Sequence, residues 1–121
     1  MPDASLPILL VEDDPIILDS TAELLTDGGC DVRRASTMAQ ALEMLSEGPL
    51  PSVLVTDISL ADDRSGLDLA RTVAQRWPQV KLLIVSGAHR PPPEDYPEGA
   101  LFFTKPYANG ALLTMVKDTA W

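Results

Sequence analysis

Three carboxylates, a hydroxyl and an ammonium follow short apolar runs of this sequence. Glu12 and Asp13 come after residues 6–11, Asp57 after 53–56, Ser86 after 80–85, and Lys105 after 100–104. If those runs are parallel strands, their carboxyl ends gather all five groups at one sheet edge, where open α/β sheets bind their ligands. Carboxylates crowded together repel one another unless a cation sits among them. Hard oxygen donors on a partly open site suit Mg²⁺, which takes one or two carboxylates and keeps several waters. A lysine beside them supplies fixed positive charge for a phosphoryl group. The constellation implies a Mg²⁺-dependent phosphoryl-transfer site.

The elements that must position these groups are legible in the patterning. Runs apolar on both faces suggest strands buried between helices in a parallel sheet. A weaker fifth run, residues 31–35, carries Arg33 and Arg34, as a half-exposed edge strand would. Asp14-Pro15 reads as an N-cap followed by proline at the first helical position. Leu18, Ala22 and Leu25 then share one face before Gly28-Gly29 ends the helix. Thr37 and Gln40 have capping-box spacing, with Ala41, Leu42 and Leu45 following at helical intervals. Residues 67–77 form a third helix that stacks Leu69, Val73 and Trp77 ahead of Pro78. Residues 108–119 form a further one with Leu112, Leu113 and Val116 inward. Strands alternating with helices imply right-handed crossovers and a doubly wound α/β domain. Residues 88–99 break the alternation, because Pro91, Pro92, Pro93 and Pro97 leave room for one short helical turn at most.

A chain of 121 residues reads as one domain spanning 1–121, large enough to bury a core without staples. No run approaches the roughly 18 apolar residues of a membrane span, and residues 1–5 lack the pattern of a secretory leader. The lone Cys30 cannot form an internal disulfide and fits a reducing compartment, so the expected location is cytoplasmic. A formal net charge of −9 repels phosphate backbones and argues against direct nucleic-acid binding. It leaves room for a divalent cation or for a basic patch on a protein partner.

The motifs in sequence order are Leu10-Val11-Glu12-Asp13-Asp14, Val55-Thr56-Asp57, Gly66-Leu67-Asp68-Leu69, Val85-Ser86-Gly87 and Thr104-Lys105-Pro106-Tyr107. Together they make the chain resemble, over essentially its whole length, the CheY-like receiver domains of bacterial response regulators. The resemblance implies a flavodoxin-like five-stranded parallel sheet of order 2-1-3-4-5, with the family's fourth helix shortened or missing at residues 88–99. It implies that Asp57 is the phosphoacceptor, taking its phosphoryl group from a histidine kinase or a histidine phosphotransfer protein. Asp13 would ligate Mg²⁺ directly, Glu12 through a water, and Ser59 through its backbone carbonyl. Ser86 would hydrogen-bond the attached phosphoryl group and Lys105 would pair with it, aimed by a cis peptide at Pro106. Phe102 occupies the switch aromatic's position, where many relatives carry tyrosine. The output is then a switched protein-interaction surface for a downstream effector, and the domain is not an enzyme in its own right.

Blander roles compete at several positions. Asp57 could cap a turn, but its companion residues favour the phosphoacceptor role. Asp14 reads as a helix cap rather than a ligand, and Gly66 as a turn or close-packing glycine. Cys30 reads as a small apolar residue without redox function, and His89 as solvated. A phosphatase resembling the haloacid dehalogenase family is rejected, because Ser59 stands where that family's second aspartate belongs. A degenerate receiver, acting as a phosphorylation-independent interaction domain, stays as the alternative. The segment Ile-Ser-Leu-Ala-Asp-Asp-Arg-Ser after Asp57 departs from the family by one extra residue, and Ala61 stands where proline is typical. Such loops occur in receivers of hybrid kinases and hint at that lineage; the chain is read as a stand-alone receiver or as part of a longer hybrid kinase. The altered 88–99 segment predicts that the dimer face built on the family's fourth and fifth helices is not used.

Overall fold

The computed structural model describes residues 6–57, 65–86, 97, 99–104 and 109–117. Its strands are β1 (Leu6–Val11), β2 (Cys30–Ala35), β3 (Val53–Asp57), β4 (Lys81–Ser86) and β5 (Leu101–Thr104). Its helices are α1 (Pro15–Asp27), α2 (Met38–Glu47), α3 (Ser65–Arg76) and α4 (Asn109–Lys117). The strands make one parallel sheet of order β2-β1-β3-β4-β5, as the resemblance implies. The expected alteration at 88–99 lies outside the described residues except for Pro97 and Gly99.

Side chains of successive strand residues point to opposite faces, and both faces here are apolar. Leu9, Val11, Leu54 and Ile84 join Leu45, Leu69 and Val73 in the layer under α2 and α3. Ile8, Leu10, Val55, Leu83 and Val85 join Ala22, Leu25, Leu112 and Val116 in the layer under α1 and α4. Each fully buried aliphatic side chain contributes about 1.5–3 kcal/mol of transfer free energy, so the central strands are anchored from above and below. That anchoring fixes where their carboxyl ends lie.

Local chemistry sets the helix ends. The Asp14 carboxylate accepts from the amides of Ile16 (2.9 Å) and Ile17 (3.4 Å), which have no partner inside the helix. At the other end, the Gly28 amide bonds the Leu24 carbonyl at 3.1 Å and Gly29 adopts φ +98°, a conformation that costs glycine little. On α2, Thr37 accepts from the Gln40 amide at 3.0 Å as the capping box requires. The reciprocal bond falls one residue earlier than expected, because Gln40 Oε1 accepts from the Ser36 amide at 2.9 Å. Helix α3 begins at Ser65 and ends at Arg76. Trp77 continues its bonding, donating its amide to the Val73 carbonyl at 2.8 Å, and its ring lies under the Arg76 guanidinium at 4.5 Å. Strand β2 starts at Cys30, which is buried; burial pushes its thiol pKa up, with Lys117 opposing the shift.

Asp14→Ala is expected to lower stability by about 1 kcal/mol, the usual loss for a capping side chain. Urea unfolding checks this, and an unchanged midpoint would show that the cap contributes nothing.

Candidate functional site

The sheet brings Glu12 and Asp57 together. Val11 of β1 pairs with Thr56 of β3, so the residue after each pair member stands at the same carboxyl edge. On the other side of β3, Asp57 pairs with Val85, which places the end of β4 beside it. A cleft of about 10 Å³ opens there, lined by Leu10, Val11, Glu12, Thr21, Val55, Asp57 and Val85. That is room for about one water-sized species.

The two carboxylates differ in setting. Glu12 is 5% exposed, and its carboxylate accepts the Asp14 amide at 3.2 Å. Its own amide donates to the Ala35 carbonyl at 3.0 Å, tying the end of β1 to the end of β2. Asp57 is half-buried at the last position of β3, and Thr56, fully buried, donates its hydroxyl to the Asp57 carbonyl at 2.9 Å. Asp13 is exposed and is not among the cleft residues. Among the described residues, no group of three or more His, Cys, Asp or Glu side chains is arranged to hold a metal ion. The donor set still fits Mg²⁺. Two carboxylates line one small, open cleft, and this ion takes one or two carboxylates and fills its remaining positions with water.

Other expected site residues are distributed as follows. Ser86 closes β4, in register with Thr104 of β5. Ser59, Lys105 and Pro106 lie outside the described residues, as do His89, Asp62 and Asp63. Phe102 pairs with Ile84 on β5 and packs half-buried against the layer under α2 and α3. Asp14 caps α1, as expected. Gly66 lies buried in the first turn of α3.

Thr21 is the cleft residue that sequence reasoning passed over. It stands on the inward stripe of α1 between Leu18 and Leu25 and is half-buried. A hydroxyl on an otherwise apolar stripe was the available signal. The exposed large hydrophobics among the described residues are Ile16, at 78%, and Ile17, at 36%. Both belong to the first turn of α1. No described helix is long and apolar enough to cross a membrane.

Comparison with known proteins gives a consistent result. The model of the response regulator receiver domain family matches residues 8–117. The phyllosphere-induced regulator PhyR of Methylorubrum extorquens is 30% identical over 106 residues, covering 87% of this chain and 40% of that protein. The sensor protein TorS of Escherichia coli is 35% identical over 78 residues, covering 64% of this chain and 8% of that protein. The chain thus spans less than half the length of these curated relatives. Among solved structures, a CheY-like receiver domain protein from Methanospirillum hungatei superposes with a TM-score of 0.82 at 28% identity, covering 94% of this chain and 92% of that one. A receiver protein from Sinorhizobium medicae gives 0.78 at 29%, covering 93% and 91%.

Proposed function

This chain belongs to the response regulator receiver family, a family of signalling domains, and from that premise we propose that it accepts a phosphoryl group on Asp57 in a Mg²⁺-dependent reaction. The observation that carries the proposal is the pairing of Asp57 with buried Glu12 in one small cleft at the carboxyl edge of the sheet.

The chemistry runs from the strand end outward. An Asp57 carboxylate oxygen attacks the phosphorus of a phosphohistidine, the P–N bond breaks, and the imidazole departs with the electron pair. The product is an acyl phosphate on Asp57. Thr56 donates its hydroxyl to the backbone carbonyl of the attacking residue, which fixes the backbone from which the carboxylate projects. Glu12, Asp13 and Asp57, with the Ser59 carbonyl, would hold Mg²⁺, which when bound neutralises charge on the transferring group. Lys105 pairs with the phosphoryl oxygens and Ser86 hydrogen-bonds them. The added charge draws Ser86 in and changes the packing of Phe102, which biases a surface read by a protein effector.

The donor in this reading is a histidine kinase or histidine phosphotransfer protein. Ile16 and Ile17, apolar and exposed in the first turn of α1, offer it a docking patch. Likeness to a sensor protein supports a place within a phosphorelay, either as a separate receiver or as part of a longer hybrid kinase. The buried single cysteine suits the cytoplasm.

The test is intact-mass spectrometry after incubation with acetyl phosphate, with Mg²⁺ and again with excess EDTA. One phosphoryl group is expected with Mg²⁺, and removing the metal should slow its appearance by ~100-fold or more. Folded protein that gains nothing from acetyl phosphate or from phosphorylated kinase domains would instead be a phosphorylation-independent interaction domain.

A further inference from the structure

Strand β2 terminates the sheet: β1 covers one of its edges, and among the described residues no strand covers the other. Such an edge offers a row of backbone donors and acceptors to any second strand. Sheets often guard it with charged side chains, and β2 carries charges of both signs.

Asp31 and Arg33 are in register with Pro7 and Leu9 and border the hollow beneath the end of α2, so they share one face of the strand. Both are exposed, and neither is in an ion pair among the described residues. Val32, between them, lies half-buried on the opposite face against the α1 and α4 layer. Arg34, on that same face, is paired with Asp19 of α1. On this side of the strand the edge carries one acid and one base two residues apart, neither in an ion pair among the described residues, with the Arg33 guanidinium lying beside Gly48.

That spacing is its own complement when the strand is reversed. Two β2 edges laid antiparallel about a two-fold axis at Val32 set Asp31 of each copy directly opposite Arg33 of the other. Opposite positions in an antiparallel pair bring Cβ atoms to about 4.5–5.5 Å, where unlike charges attract. Val32 then faces Val32 on the other side of the ribbon. We infer that the β2 edge is a self-recognition surface, at which a second copy of this chain adds antiparallel and extends the sheet across a two-fold axis.

The self-complementary order of charges is what selects a second copy over another partner, and a two-fold contact closes on itself without polymerising. Two factors keep the dimer weak. The net charge of −9 repels at long range, and an edge contact buries less than the roughly 1,200 Å² of a standard interface. Association is thus expected at ~100 µM or above.

Sedimentation velocity tests the inference on the wild type, on Asp31→Arg, on Arg33→Asp, and on an equimolar mixture of the two variants. The wild type is expected to form a discrete dimer as concentration rises. Each variant alone places like charges opposite one another at both pairs and should dimerise at least ~10-fold more weakly. Mixed together, they are complementary again, and a heterodimer should form where neither homodimer does. A wild type that stays monomeric up to about 1 mM would overturn the inference. So would variants that dimerise as readily as the wild type, or a mixture that fails to associate. Both positions are exposed and outside the core clusters, and thermal melts establish that each variant is folded.

Discussion

Asp57→Asn is expected to reduce phosphorylation from acetyl phosphate or a phosphorylated donor by ~1,000-fold or more while leaving the fold intact. The substitution exchanges a carboxylate for an amide of the same shape. The amide oxygen is a poor nucleophile, and its group carries no charge to hold a divalent cation, so both the attack and the electrostatic contribution are lost together. The backbone contacts at this position do not depend on the exchanged atoms. The Thr56 hydroxyl bonds the backbone carbonyl of residue 57, not its side chain, and the strand pairing with Val85 is a backbone matter. Stability should therefore stay within about 1 kcal/mol of the wild type. Intact mass and a urea melt on the same sample read both outcomes. Phosphorylation persisting in the variant would move the acceptor elsewhere and sink the proposed function.

Leu54→Ala should produce the largest loss of stability, about 2–5 kcal/mol, the range for truncating a leucine in a packed core. Leu54 has no exposed surface. It sits on β3, the middle strand, in register with Leu9 on one side and Leu82 on the other. Its side chain joins the layer under α2 and α3 with Leu69, Val73 and Ile84. A site so enclosed from strand and helix neighbours has little means of collapsing around the missing atoms. For a chain of 121 residues the expected fall in melting temperature is ~8–20 °C. Because Asp57 lies three residues along the same strand, the variant should still be phosphorylated below its melting transition. A loss under about 1 kcal/mol would mean that the layer under α2 and α3 is not packed as described.

How much of this was legible beforehand follows from the range of the interactions involved. Strand identity was readable because runs such as residues 53–56 and 80–85 are short and apolar on both faces, which only strands buried between two helical layers require. The site was readable from the same boundaries. Glu12, Asp57 and Ser86 stand where apolar runs stop, and a parallel sheet must put those stops at one edge. The cap at Asp14 was readable because its bonds reach only two and three residues ahead. The strand order, by contrast, entered through resemblance to a family and not from periodicity.

Tertiary contacts decided the remainder. Asp57 became the last residue of β3 because β4 is there to pair with it. Gln40 found Ser36 in place of Thr37, since the path of the chain leaving β2 sets which amide lies within reach. Thr21 entered the cleft through the docking of α1 against the sheet, and the exposure of the β2 edge depends on where the sheet stops. Helix periodicity and capping act over one turn and are written into neighbouring residues. Register, layer assignment and the company a carboxylate keeps depend on residues tens of positions apart, which only the folded chain brings together.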